Sequence, residues 1–148
     1  MYVKQTTTYD CGPVALINWY NAFGATFTKS HIPMFRRLLG TKRIGTDLAS
    51  MHAAARLFDR TATLIHGPYG IDAALNFLDE HGIIMCGYSH KAAHIVTIVK
   101  QGKRYLITNV SRKEGHVSAT RRALEKFIST SQMPPVFILA KTPEFLLD

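Results

Sequence analysis

The chain is poor in cysteine, in acid and in long apolar stretches, and each shortage argues against a class of protein. Two cysteines in 148 residues leave no framework for a disulfide-stapled secreted scaffold. Cys11 and Cys86 are far apart, and neither C-x-x-C nor H-E-x-x-H spacing occurs, so no metal site or cofactor is read. Ten Asp and Glu stand against 18 Lys and Arg, a formal charge of +8 with neutral His, so the surface favours acidic ligands without naming one. The longest uncharged stretch, residues 11–28, contains Pro13, Asn18, Asn21 and Gly24. It is too polar to cross a bilayer, which takes about 20 apolar residues, so no membrane insertion is expected. Lys4 leads into Gln5-Thr6-Thr7-Thr8-Tyr9-Asp10 with no apolar core of a secretory signal, which points to the cytoplasm.

A hydrophobic share of 47% with no linker, repeat or low-complexity tract reads as a single domain over 1–148, large enough to build a core. The first part, about 1–82, reads as helical. Cys11 to Phe23 forms a helix with Asp10 as N-cap, Pro13 in its first turn and Gly24 as its stop; Val14, Leu16, Ile17 and Tyr20 supply its apolar side. Ser30 to Leu39, ended by Gly40, makes a second helix. Thr46 caps a third carrying Leu48, Met51, Ala55 and Phe58, and Ile71 to His81, ended by Gly82, makes a fourth. The second part, about 83–148, is strand-rich: Ile83 to Cys86, then Ile95 to Val99 paired with Tyr105 to Thr108 through a turn at Lys100-Gln101-Gly102-Lys103. Ser118 caps a helix through Phe127, and Val136 to Ala140 follows Pro134-Pro135 as a buried strand. Helices first and strands afterwards give an α+β class, a helical lobe packed on an antiparallel sheet.

Four residues attract chemical interest. Cys11 opens a helix, where unpaired N–H groups favour a thiolate, and Gly12-Pro13 leaves clearance for a substrate carbonyl; the other reading is a small buried apolar cysteine. Gln5, six positions earlier, has an amide that can aim at an oxyanion, against the plainer reading of a solvated surface residue. Of seven histidines, His94 begins a strand and suits a general base held by sheet geometry, with His90 in reserve. His31, His52, His66, His81 and His116 read as ordinary surface or helix-end residues. Asn109 ends the partner strand, where a hairpin turning at Gln101-Gly102 brings it across from His94 to orient the ring; its alternative is a strand-ending turn residue.

Together Gln5, Asp10-Cys11-Gly12-Pro13 with Val14-Ala15-Leu16, His94-Ile95-Val96 and Asn109 resemble a papain-like cysteine peptidase, and more narrowly the double-glycine leader peptidases of peptide-exporting ATP-binding-cassette transporters. Gly45-Thr46-Asp47-Leu48 running into Ala53-Ala54-Ala55 is similar to a second stretch of that family, so the likeness covers about residues 2–110. The resemblance implies a papain-like fold, Cys11 as nucleophile, His94 as base and acid, and Gln5 as oxyanion donor; Gly12, directly after the thiol, is read from its clearance as substrate-binding. The family has Asp followed by Pro at the third position. Here Asn109 precedes Val110, closer to the wider papain-like pattern, with no carboxylate to support an imidazolium.

The implied function is hydrolysis of a peptide bond by a free-standing thiol peptidase, after Gly-Gly or other small residues, in an acidic or amphipathic peptide that suits a positively charged enzyme. Two alternatives use the same residues: an inert peptide-binding module, and transfer of the acyl group to another amine. Arg36-Arg37, Lys42-Arg43, Arg112-Lys113 and Arg121-Arg122 are scattered, without interleaved stacking aromatics, and read as solvated charge and not as a nucleic-acid site.

Overall fold

The computed structural model describes residues 1–141. Its first helix, α1 (Cys11–Ala22), begins where the sequence places it, but is buried all round from Gly12 to Asn21 instead of along one apolar stripe. Asp10 stands at the N-cap position without capping. Its fully buried carboxylate instead accepts two bonds from Arg36, from Nε at 2.7 Å and Nη2 at 2.6 Å. Burial pushes the Asp10 pKa up, and hydrogen bonding to Arg36 and Thr7 together with the Arg36 charge outweighs it, holding the carboxyl below its ordinary value.

The second helical stretch splits into a 3-10 turn (Lys29–His31) and α2 (Ile32–Leu39), which ends on Gly40 in the left-handed conformation. In α3 (Leu48–Arg56) the cap is Asp47, whose side chain accepts the Ser50 N–H, and not Thr46. Thr46 is occupied elsewhere: its hydroxyl meets that of Thr41 at 2.6 Å, and its side chain fills the space beside Gly12. α4 (Ile71–His81) and its stop at Gly82 match the sequence reading.

Two strands were not legible in the sequence. β1 (Thr63–His66) comes from the helical part, and β5 (Gly115–Ala119) contains Ser118, so the cap of α5 (Arg121–Ser129) moves to Thr120. Both are short and only half-buried, and pairing with a neighbour defines them more than their own pattern does. With β2 (Ile83–Ser89), β3 (Ala93–Gln101), β4 (Arg104–Ser111) and β6 (Val136–Leu139) they form one antiparallel sheet in the order β1-β6-β2-β3-β4-β5.

Helices cover both faces of this sheet. Ile83 and Met85 of β2 pack with α1, α2 and α3, whereas Ile84 and Cys86 pack with α4 and α5. Two-sided cover explains why Ile83-Ile84-Met85-Cys86 reads as an unbroken apolar run and does not alternate. Among the described residues no helix is long and apolar enough to cross a membrane.

Candidate active site

Two hydroxyls fasten together the helix that starts at Cys11, the strand that starts beside His94 and the strand that follows it. Thr97 of β3 donates to the Ala15 carbonyl of α1 at 2.6 Å, and Thr108 of β4 donates to the Thr97 carbonyl at 2.7 Å, all of it buried. Such bonds inside a core are geometrically exacting, so α1, β3 and β4 are fixed relative to one another. The first residue of α1 and the second of β3 consequently share a cavity of about 350 Å³, which Cys11 and His94 line with Thr46, Leu48, Tyr88 and Met133.

The His94 Nε2–H donates to the backbone carbonyl of Asn109 at 2.7 Å. A carbonyl only accepts, so Nε2 carries the proton and the neutral ring keeps its lone pair on Nδ1, the form a general base needs. The Tyr88 ring meets the imidazole edge-on, with centroids 5.7 Å apart. Burial pushes the His94 pKa below its ordinary value, with the Asn109 bond acting against it. Cys11 moves the other way. Burial raises its thiol, the backbone N–H groups of Ile95, Gly12 and Cys11 itself pull it down, and the Asp10 charge pushes it up again. The helix N-terminus does favour the thiolate, as its position predicts, but desolvation is larger, so the net direction at Cys11 is toward the neutral thiol, as it is toward the neutral imidazole at His94.

Asn109 is present at the site through its backbone. Its side chain does not face His94: Oδ1 accepts the Gln5 backbone N–H at 2.9 Å, and Nδ2 donates to Gln5 Oε1 at 2.8 Å. The register explains the difference. The hairpin pairs Gln101 with Arg104 across Gly102-Lys103, and the β4–β5 ladder is interrupted between Ile107 and Ser111. Within that interruption Asn109 adopts φ +53°, a left-handed conformation uncommon for residues with a Cβ but tolerated by Asn.

Gln5 is held near the site but turned from the cavity. Its Nε2 donates to the Thr7 carbonyl at 3.0 Å, so the amide expected at an oxyanion is bonded within its own segment. That segment is strapped along α1: the buried Asn18 side chain bonds both the N–H and the carbonyl of Val3, at 2.7 and 3.0 Å, and Asn21 donates to the Met1 carbonyl at 2.9 Å. Gly12 is buried and does not line the cavity. A Cβ there would lie 2.4 Å from Thr46 Oγ1, so glycine permits close packing of α1 on the Thr46 loop and not substrate clearance. His90 is committed elsewhere, donating through Nε2 to the Phe127 carbonyl at 2.8 Å. His116, read from sequence as ordinary, accepts the Asn109 N–H at 3.0 Å; the unrecognised strand β5 hid it. Among the described residues no three His, Cys, Asp or Glu side chains are grouped as a metal ion would require.

No family model matches the chain, and no curated protein sequence does. Solved structures do. The peptidase domain of Streptococcus ComA, a bi-functional ABC transporter of a quorum-sensing pathway, superposes with a TM-score of 0.62 at 19% identity, covering 94% of this chain and 97% of that one. The peptidase domain of Streptococcus mutans ComA gives 0.55 at 19% identity, covering 93% and 97%. A double-glycine-motif protease from an AMS/PCAT transporter, solved with its leader peptide, gives 0.55 at 17% identity, covering 95% and 91%. Identity at this level speaks for architecture alone, and the architecture is the papain-like α+β fold of these transporter peptidase domains.

Proposed function

We propose that the chain is a cysteine peptidase that cleaves a peptide bond after Gly-Gly or other small residues. The observation that carries the reading is the meeting of Cys11 and His94 in one cavity, with the His94 Nε2–H bonded to Asn109 and Nδ1 left as the basic nitrogen. Starting from the neutral pair, His94 takes the thiol proton as Sγ attacks the carbonyl, then returns it to the leaving amine. The Cys11 N–H stabilises the oxyanion, joined by Gln5 Nε2 once it leaves the Thr7 carbonyl. Water then releases the acyl group. The likeness to a protease solved with a leader peptide supports a peptide substrate, and the +8 charge supports an acidic or amphipathic one.

Two observations favour a second reading, a peptide-binding module without turnover: the Gln5 amide is bonded outside the cavity, and the half-buried Cys11 thiol is held above its ordinary pKa by desolvation. Incubation with acidic peptides carrying an internal Gly-Gly, read by mass spectrometry, separates the two. The peptidase reading expects cleavage that Cys11→Ala abolishes and Gln5→Ala slows by about 100- to 1,000-fold. Cleavage that survives Cys11→Ala refutes the mechanism, and capture of intact peptide by the wild type supports the binding module.

A further inference from the structure

Asn109 has every hydrogen-bonding group engaged: its side chain by Gln5, its carbonyl by His94, and its N–H by His116 Nδ1 at 3.0 Å. The group that orients His94 is a backbone carbonyl, so its place depends on what holds the backbone at 109. In a regular strand the ladder would hold it. Here the β4–β5 ladder is interrupted, with Ile107 opposite Val117 and Ser111 opposite Gly115, and His116 lies on β5 inside that interval. The imidazole takes the place of the missing ladder carbonyl, accepting the Asn109 N–H where the chain turns left-handed.

We propose that His116 is a positioning residue, which acts through the Asn109 backbone to hold the carbonyl that orients His94. The inference rests on the peptidase reading. His116 touches neither Cys11 nor the cavity they share; it lines a separate depression with Tyr2, Lys4 and Glu114. Its ring is chemically suited to the task. Nδ1 accepts from Asn109, so Nε2 carries the proton and donates to the Tyr2 carbonyl at 3.3 Å, anchoring the other side of the ring. Burial favours the neutral ring, opposed by the Tyr2 bond and assisted by the Lys4 charge.

A glutamine at 116 offers an acceptor and a donor in place of the two nitrogens, whereas phenylalanine keeps the ring and offers neither. The test is an imidazole nitrogen spectrum of the 15N-labelled protein at pH 8, together with iodoacetamide labelling of Cys11 and with the buried Cys86 as the sign that the fold is intact. The expected wild type has His116 protonated at Nε2 and a His94 Nε2–H protected from solvent exchange. His116→Gln keeps that His94 signal, whereas His116→Phe loses it and slows Cys11 labelling by about 10- to 100-fold, the effect of a misplaced base.

A wild-type His116 protonated at Nδ1 overturns the proposal, as does a His94 signal that survives His116→Phe with Cys86 unlabelled. If His116→Phe exposes Cys86, the wild-type tautomer and His116→Gln decide, and loss of the His94 signal in His116→Gln overturns it. Labelling of Cys11 unchanged by His94→Ala would instead refute the peptidase reading, leaving the His116–Asn109–His94 connection to the spectrum alone.

Discussion

Replacing Arg36 by Met leaves the Asp10 carboxylate, one residue before Cys11, buried without its partner. The wild-type pair is two-pronged, at 2.7 and 2.6 Å, with Asp10 fully buried and the Arg36 side chain 30% exposed. Removing one partner of a buried pair costs about 3–5 kcal/mol, and because water reaches the guanidinium, the lower end applies. For a domain of this size about 3 kcal/mol lowers Tm by about 6–12 °C, readable by circular dichroism at pH 7. The pH dependence carries a sign of its own. Asp10 has a lower pKa folded than unfolded, so the stability from the pair is whole above about pH 4 and is lost as pH falls through the folded value. In Arg36→Met the buried carboxyl prefers its neutral form, and acid relieves the penalty. The Tm gap between wild type and variant therefore narrows from pH 7 to pH 3, and Asp10→Asn in the Arg36→Met background recovers part of the loss at pH 7. A Tm drop under about 2 °C at pH 7, or a gap that stays constant in acid, would refute the reasoning.

Two further outcomes follow from the site. Gly12→Ala drives a methyl into Thr46 and is expected to cost about 1–3 kcal/mol by overpacking, with Thr46→Ala restoring part of it; urea unfolding of the single and double variants checks this, and a harmless Gly12→Ala would sink the packing account. Because burial raises the Cys11 thiol, its alkylation is expected to rise with pH to a midpoint above the ordinary value of about 8.5, with Cys86 silent throughout, as mass mapping of iodoacetamide-treated protein would show; a Cys11 midpoint below pH 7 would mean that a thiolate–imidazolium pair already exists at rest.

Where a signal is local, the sequence carries it. The stops at Gly40 and Gly82 are legible because only a residue free of Cβ strain takes the left-handed position after a helix, and α4 follows from its own periodicity. The turn at Gly102 is legible for the same reason, along with the two strands it joins. Asp10 misleads because an acid before a helix looks like a cap, while the competing partner, Arg36, sits on another helix. β1 and β5 are missed because four or five residues with few apolar positions become strands only when β6 and β4 lie beside them.

The candidate site divides along the same line. Sequence alone determined the residue types and their order, a cysteine opening a helix and a histidine opening a strand, because helix ends and strand starts are set within a few residues. Only the tertiary structure decided how those residues are supported. Asn109 serves His94 by its carbonyl while its side chain holds Gln5, and its N–H rests on a histidine from a strand invisible in the sequence. Desolvation, which depends on everything packed around a group, likewise reversed the thiol preference that the helix N-terminus sets for Cys11.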